Sequence, residues 1–350
     1  MTTVGISFQT DLLDDTDQRR HIANMADQAV LADRLGYHSV WVNESHLDVS
    51  GQISDPLIFL AHIGGRTTHL QLGTAVICAP LYDPIRLAES AILFDHLSNG
   101  RLRLGIGIGD RRRGLSRAWE FYPDNVDART LEIIDILVQA FDTGSVTYAG
   151  NYYRYNDVRL TPTSARKARD IIVAGTDRNY QKILSRYSFD LISPRLQPLA
   201  DRQQEFDFLR REHPENDAIV LRYASVASDH DEAVERAIPW LQTYLHRYRK
   251  EHPTAEWIRD NIEKVIEDAG FAIGTPDEVV EILRRWGRDR DLIALDFGGP
   301  WVPQKYSLTA IELLAARLVR SGDSSLSIPA AGNTTTGTPE IGRSGLPSEK

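Results

Sequence analysis

Cysteine is almost absent from this chain: Cys78 is the only one in 350 residues. That excludes an internal disulfide and any metal site built from a cysteine cluster. Lysine is scarce as well, six residues against 34 arginines. No apolar run approaches the roughly 18 residues of a membrane span. The opening residues, MTTVGISFQT, show no basic segment followed by an apolar core, so no secretory signal is visible and the cytoplasm is the expected location. No spacing of His, Asp and Glu marks a metal site, and no G-x-S-x-G nucleophile motif occurs. The net charge of −9 argues against nucleic acid or an anionic membrane as the main partner.

What the chain does have is the composition of a globular protein, 42% hydrophobic and 25% charged. Its most informative stretch runs from Leu70 to Gly109. Leu70 to Cys78 is an apolar run closed by Ala79-Pro80. Asp83-Pro84 then opens a helix, with proline at the first position where a missing N–H costs nothing. Ser98-Asn99-Gly100 ends the helix, and Leu102, Leu104, Ile106 and Ile108 alternate as the next strand. Two strands joined by one helix form a right-handed crossover between parallel strands.

The same unit recurs along the chain. Strands are expected at Val4–Phe8, His38–Asn43, Leu70–Cys78, Leu102–Ile108, Asp170–Ala174, Phe189–Ser193, Ala218–Ala227 and Leu292–Phe297, mostly followed by amphipathic helices. A β-hairpin is expected over Gly144–Leu160, turning at Ala149-Gly150-Asn151. Thr275-Pro276-Asp277-Glu278 is a strong helix start. The fold class that follows is α/β: a (β/α)8 TIM barrel over residues 1–320, with a polar insertion near 251–270 that includes a helix. A doubly wound sheet is the alternative. Residues 321–350, rich in Ser, Gly, Thr and Pro, read as a disordered tail.

In such folds chemistry belongs at the carboxyl ends of the strands. Glu44 and His46 follow the second strand and suit acid–base work; a structural carboxylate beside a half-exposed loop histidine is the plainer alternative. Gly105, Gly107 and Gly109 alternate in LGIGIGD, either to let backbone approach a flat ligand or to relieve crowding in a tight strand. Their spacing does not fit a dinucleotide fingerprint. Gly175-Thr176-Asp177 lies between a strand and a helix, where exposed N–H groups bind phosphate or merely cap. Arg111 to Arg113 read as an anion site or a solvated loop, and Trp41, Trp119, Phe121 and Tyr122 as pocket wall or core.

Four stretches, in this order, resemble the bacterial luciferase-like flavin-dependent monooxygenases: VWVNESH at 40–46, LGTAVICAPLYDPIRLAESAILFDHLSNGRLRLGIGIG at 72–109, IIVAGT at 171–176 and AIGTPDEVVEILRR at 272–285. The resemblance implies a (β/α)8 barrel with reduced FMN, or in one branch F420, at its carboxyl face. Ala75-Val76 matches the place where relatives press an often cis peptide against the flavin ring. Arg129, Gly175, Thr176 and Asn179 match phosphate contacts, and Arg178 adds charge there. Glu44 and Gly107 fall within the same cofactor cradle.

The departures are specific. Luciferases carry Glu-His-His where this chain has Glu44-Ser45-His46. A reactive cysteine of luciferase corresponds to Gly107, a phosphate-binding arginine to Ile108, and an acid at the phosphate turn to Gly175. The function implied is a two-component monooxygenase. A separate NAD(P)H:flavin reductase supplies reduced FMN, which forms a C4a-(hydro)peroxide with O2 and oxygenates a small organic substrate such as a natural product. His46 is the expected polar group nearest the reacting centre, with Ser45 as hydrogen-bond donor and Asp110 orienting substrate. An F420-dependent hydride-transfer enzyme and a non-catalytic flavin-binding subunit are the alternatives. Family members often pair as dimers, so a homodimer is expected.

Overall fold

A computed structural model describes residues 2–8, 17–47, 53–109, 115–120, 124–165, 167–174, 179–193, 199–246, 250–287, 291–321 and 326–328. The elements run β1 (Thr2–Phe8), α1 (Gln18–Leu35), β2 (Ser39–Val42), α2 (Pro56–Gly64), β3 (Gln71–Thr74), β4 (Ile77–Cys78), α3 (Pro84–Leu97), β5 (Leu102–Gly107) and α4 (Val126–Thr143). A hairpin of β6 (Ser145–Ala149) and β7 (Arg154–Arg159) follows, then β8 (Ile171–Ala174), α5 (Asn179–Leu184), β9 (Asp190–Ser193), α6 (Leu199–Glu212), β10 (Ala218–Val226) and α7 (His230–Tyr244). The chain continues through α8 (Ala255–Asp260), α9 (Ile262–Ala269), β11 (Ala272–Gly274), α10 (Pro276–Trp286), β12 (Leu292–Asp296), α11 (Gln304–Ser321) and β13 (Leu326–Ser327).

Eight parallel strands close on themselves in the order β1, β2, β3, β5, β8, β9, β10, β12 and back to β1. Closure rules out the doubly wound sheet and makes the fold a (β/α)8 barrel. Helices start where their caps lie. The Asp17, Asp55, Asp83 and Thr275 side chains each accept an N–H three residues on, and Thr275 with Glu278 forms a reciprocal capping box. Among the described residues no helix is long and apolar enough to cross a membrane.

Two apolar layers result. Trp41, Ile172, Ile192, Ile219, Leu221, Leu292 and Ala294 fill the barrel interior. The larger layer lies between strands and helices. Trp41 is fully buried and donates its indole N–H to Ser39 Oγ at 2.8 Å, so it plugs the barrel and is not a pocket wall. A Cβ on Gly73 would stand 2.3 Å from that indole ring, so the neighbouring strand needs glycine there.

Several expectations are corrected. The apolar run expected as one strand over Leu70–Cys78 is two, β3 and β4, separated by Ala75 and Val76. The insertion expected to include a helix carries two, α8 and α9, with α8 packed on α7. A short strand within AIGTPDEVVEILRR, β11, pairs with the far half of β10, a partner that no local pattern announces. The disordered-tail reading of 321–350 does not hold at Leu326–Ser327, where β13 pairs with Thr2 and Thr3 at the start of β1. Leu326 is buried there at 2% exposure.

Candidate active site

The third and fourth barrel strands fall out of step at their carboxyl ends. Gly73 pairs with Arg103, and the next pairing is Ile77 with Ile106. Residues 74–76 on one side thus face 104 and 105 on the other, a bulge of one residue at the barrel rim. The Ala75–Val76 peptide bond within it is cis. Thr74 bridges the gap. Its hydroxyl donates to the Gly105 carbonyl at 2.9 Å and accepts the Gly105 N–H at 2.8 Å. The Ala75 N–H donates to the Val42 carbonyl at 2.7 Å, which ties the bulge to the end of β2.

Gly105 and Gly107 make this bulge possible. A Cβ on Gly105 would lie 2.1 Å from the Thr74 carbonyl oxygen, and one on Gly107 would lie 2.7 Å from a Val76 methyl. Of the two readings of the alternating glycines, relief of crowding is the one seen at these two positions. The crowding group is the bulge itself.

Beside the bulge, at the end of β2, sits a buried carboxylate. The Glu44 side chain has 0% exposure. Its Oε2 accepts the Cys78 N–H at 3.1 Å and the Tyr82 hydroxyl at 3.0 Å. Its Oε1 lies 2.5 Å from His46 Nε2. The sequence placed Glu44 and His46 together but assigned Tyr82 no role. The available signal was its position just before the Asp83-Pro84 helix start, which fixes where the side chain departs. Burial, then the Glu44 charge, push the Tyr82 hydroxyl and the Cys78 thiol well above their ordinary values, so both stay protonated. The edge of the Trp119 ring meets His46 with centroids 5.3 Å apart. His46 keeps 17% of its side chain exposed, while Ser45 is buried at 3%.

Ala75, Val76 and Ala174, all partly buried, cover the interior cluster at its upper end. Small side chains there leave an apolar floor next to the Glu44–His46 pair. Arg129, on the first turn of α4, lays its guanidinium over the Tyr152 ring at 4.6 Å. The hairpin tip carrying Tyr152 is held by Glu132, which accepts the N–H groups of Asn151, Tyr152 and Tyr153. The structure thus brings together Glu44, His46, Ala75, Val76 and Gly107. Asp110, Gly175, Thr176 and Arg178 lie outside the described residues, as do Arg111 to Arg113, Phe121 and Tyr122. Asn179 opens α5.

A family model described as luciferase-like monooxygenase matches residues 2–290. The chain belongs to the luciferase-like monooxygenases. Known members of this family include both flavin-dependent monooxygenases and F420-dependent enzymes. The oxygenase component of the flavin-dependent trigonelline monooxygenase of Acinetobacter baylyi is 35% identical over 96 residues, 27% of each chain. The F420-dependent glucose-6-phosphate dehydrogenase of Amycolatopsis mediterranei is 23% identical over 312 residues, covering 82% of this chain and 91% of that one. The crystal structure of the monooxygenase RslO1 from Streptomyces bottropensis superposes with a TM-score of 0.80 at 23% identity, over 91% of this chain and 99% of that one. This luciferase-like chain spans less than half the length of the more identical curated relatives it matches.

Proposed function

We propose that this luciferase-like protein is a flavin-dependent monooxygenase that takes reduced FMN and O2 and transfers one oxygen atom to a small organic substrate. The observation that carries this is the apolar floor of Ala75, Val76 and Ala174 beside the buried Glu44 carboxylate and its partly exposed partner His46. A planar, largely apolar ring system fits against three small side chains, and a proton-handling group stands at its edge. When bound, reduced FMN with O2 supplies the oxidising chemistry. The chain's own residues bind the ring on the bulge, exclude water with the Trp41 layer beneath it, and hold or move a proton at His46. Ser45 donates a hydrogen bond near the reacting centre, and Asp110 orients substrate. Arg129, with Gly175, Thr176, Arg178 and Asn179, holds the phosphate.

The relative named an oxygenase component supports a separate NAD(P)H:flavin reductase as partner. A homodimer through α2 and α3 completes the proposal. Ile58 on α2 and Leu93 and Leu97 on α3 are 71%, 51% and 70% exposed, large apolar side chains left at the surface of these two helices.

The second reading is an F420-dependent hydride-transfer enzyme, favoured by the breadth of the match to the F420-dependent dehydrogenase. Anaerobic fluorescence titration separates the two. Reduced FMN is expected to bind saturably, and bound reduced FMN to reoxidise in air more slowly than the free cofactor. Tight binding of reduced F420 with no binding of FMN overturns the monooxygenase reading. A protein that binds FMN but leaves its reoxidation rate unchanged is the non-catalytic flavin-binding subunit.

A further inference from the structure

We propose that Glu44 and Tyr82 are positioning residues that hold His46 as a single tautomer, Nε2–H donating to Glu44, so that Nδ1 is the nitrogen that handles the proton. This rests on the proposed role of the site, but its geometry stands independently of which cofactor binds.

Hydrogen-bond capacity decides the tautomer. An ionised carboxylate only accepts. Glu44 accepts at both oxygens, from the Cys78 amide and the Tyr82 hydroxyl at Oε2 and from His46 at Oε1. Three donors converge on a carboxylate whose side chain is fully buried, which satisfies both of its oxygens. With Oε2 already accepting two hydrogens and Oε1 acting as the third acceptor, the 2.5 Å contact assigns the hydrogen to His46 Nε2. A neutral imidazole carries one N–H, so Nδ1 keeps its lone pair. Nδ1 makes no hydrogen bond to any described residue.

The clamp is built from rigid pieces. Cys78 is the last residue of β4, and a short helical turn, Ala79–Leu81, leads straight to Tyr82. Asp83 next caps α3 by accepting the Arg86 N–H at 3.0 Å. Tyr82 is therefore fixed between a strand end and a capped helix, and its hydroxyl stops the Glu44 carboxylate from rotating. Trp119 packs against the imidazole ring in a T-shaped contact. When a substrate X–H bond gives up its proton, that proton forms a new bond to Nδ1 and the electron pair stays on X. The imidazolium so formed is stabilised by the adjacent Glu44 carboxylate. With Ser45 where luciferases have their first histidine, the clamp assigns the acid–base role to the next residue.

The test is the 15N and 1H NMR signature of the His46 ring in the full chain, assigned by comparison with His46→Asn. The wild-type protein is expected to show one neutral tautomer, protonated at Nε2. Glu44→Gln is expected to abolish that preference, and Tyr82→Phe to weaken it to a visible mixture. A wild-type ring protonated at Nδ1, or an Nε2–H tautomer unchanged in both variants, overturns the proposal. The wild-type spectrum and Tyr82→Phe decide the matter even where Glu44→Gln does not fold. The readout needs no turnover, so a failure of FMN binding refutes the monooxygenase reading without touching the clamp.

Discussion

The carbonyl oxygen of Thr74 occupies the space in which any side chain on Gly105 would begin. A Cβ there would lie 2.1 Å from that oxygen, while the Thr74 hydroxyl spans both main-chain groups of Gly105. The bulge at Ala75–Val76 and the glycine one strand away are two halves of one packing solution. The floor proposed for the flavin ring depends on both.

Gly105→Ala is therefore expected to destabilise the protein by about 2 kcal/mol, the usual scale for forcing a methyl into a packed site, and to weaken binding of reduced FMN. Gly107→Ala is expected to cost less, because its methyl meets the end of the Val76 side chain and not main chain. Urea unfolding and anaerobic FMN titration of the two variants check this, and the opposite ranking would refute it.

His38 should make the protein acid-sensitive. Burial, then the Arg103 charge, push its pKa down to about 4, with Asp217 acting weakly the other way. The unfolded chain, with an ordinary value near 6.5, binds the proton first as pH falls. Stability is therefore complete above pH 6.5 and declines between about 6.5 and 4, by about 3 kcal/mol in total at 1.4 kcal/mol per unit. His38→Gln should flatten that part of the Tm-against-pH curve. A variant curve that runs parallel to the wild type over this range would show that another group is responsible.

Asp33, at the end of α1, anchors the loop that leads into β3. Burial pushes its carboxyl up, but the N–H groups of Thr68, His69 and Leu70 and the Thr68 hydroxyl outweigh that and leave it below its ordinary value. A group held low in the folded state contributes stability above its unfolded pKa and loses it as pH falls through the folded one. Asp33→Ala is expected to cost about 2–3 kcal/mol at neutral pH, because it leaves buried donors unpaired. Denaturant melts at pH 7 and pH 3 should show the gap between variant and wild type narrowing in acid.

The proposed dimer face gives a concentration-dependent test. Replacing Ile58 and Leu97 together by Glu is expected to leave the fold intact, since both side chains are exposed, and to shift the protein from dimer to monomer in light scattering. A wild-type monomer at micromolar concentration removes the dimer from the proposal.

Much of this fold was legible in the chain. Each of the eight barrel strands falls on an apolar run bounded by turn residues, the third filling only the first part of its run, and Asp17, Asp55, Asp83 and Thr275 cap the helices they precede. The site was legible in part. Glu44 and His46 stand two residues apart after a strand, so their meeting is local. Tyr82 reaches Glu44 across 38 residues, and the Thr74–Gly105 bridge spans 31. No periodicity reports contacts of that kind.

The sequence by itself determined the alternation of strand and helix, the caps, and the family, because each depends on neighbours within a turn or two or on residues matched in order. Only the tertiary structure decided where the third strand breaks, that Trp41 fills the barrel instead of lining its mouth, that β11 and β13 add to strands distant in the chain, and which groups clamp Glu44. The reason is barrel closure. Once eight strands form a ring, each inward side chain must share a fixed volume with side chains from other strands. A glycine at 73 or 105, or a carboxylate at 44, acquires its meaning from residues the local sequence does not contain.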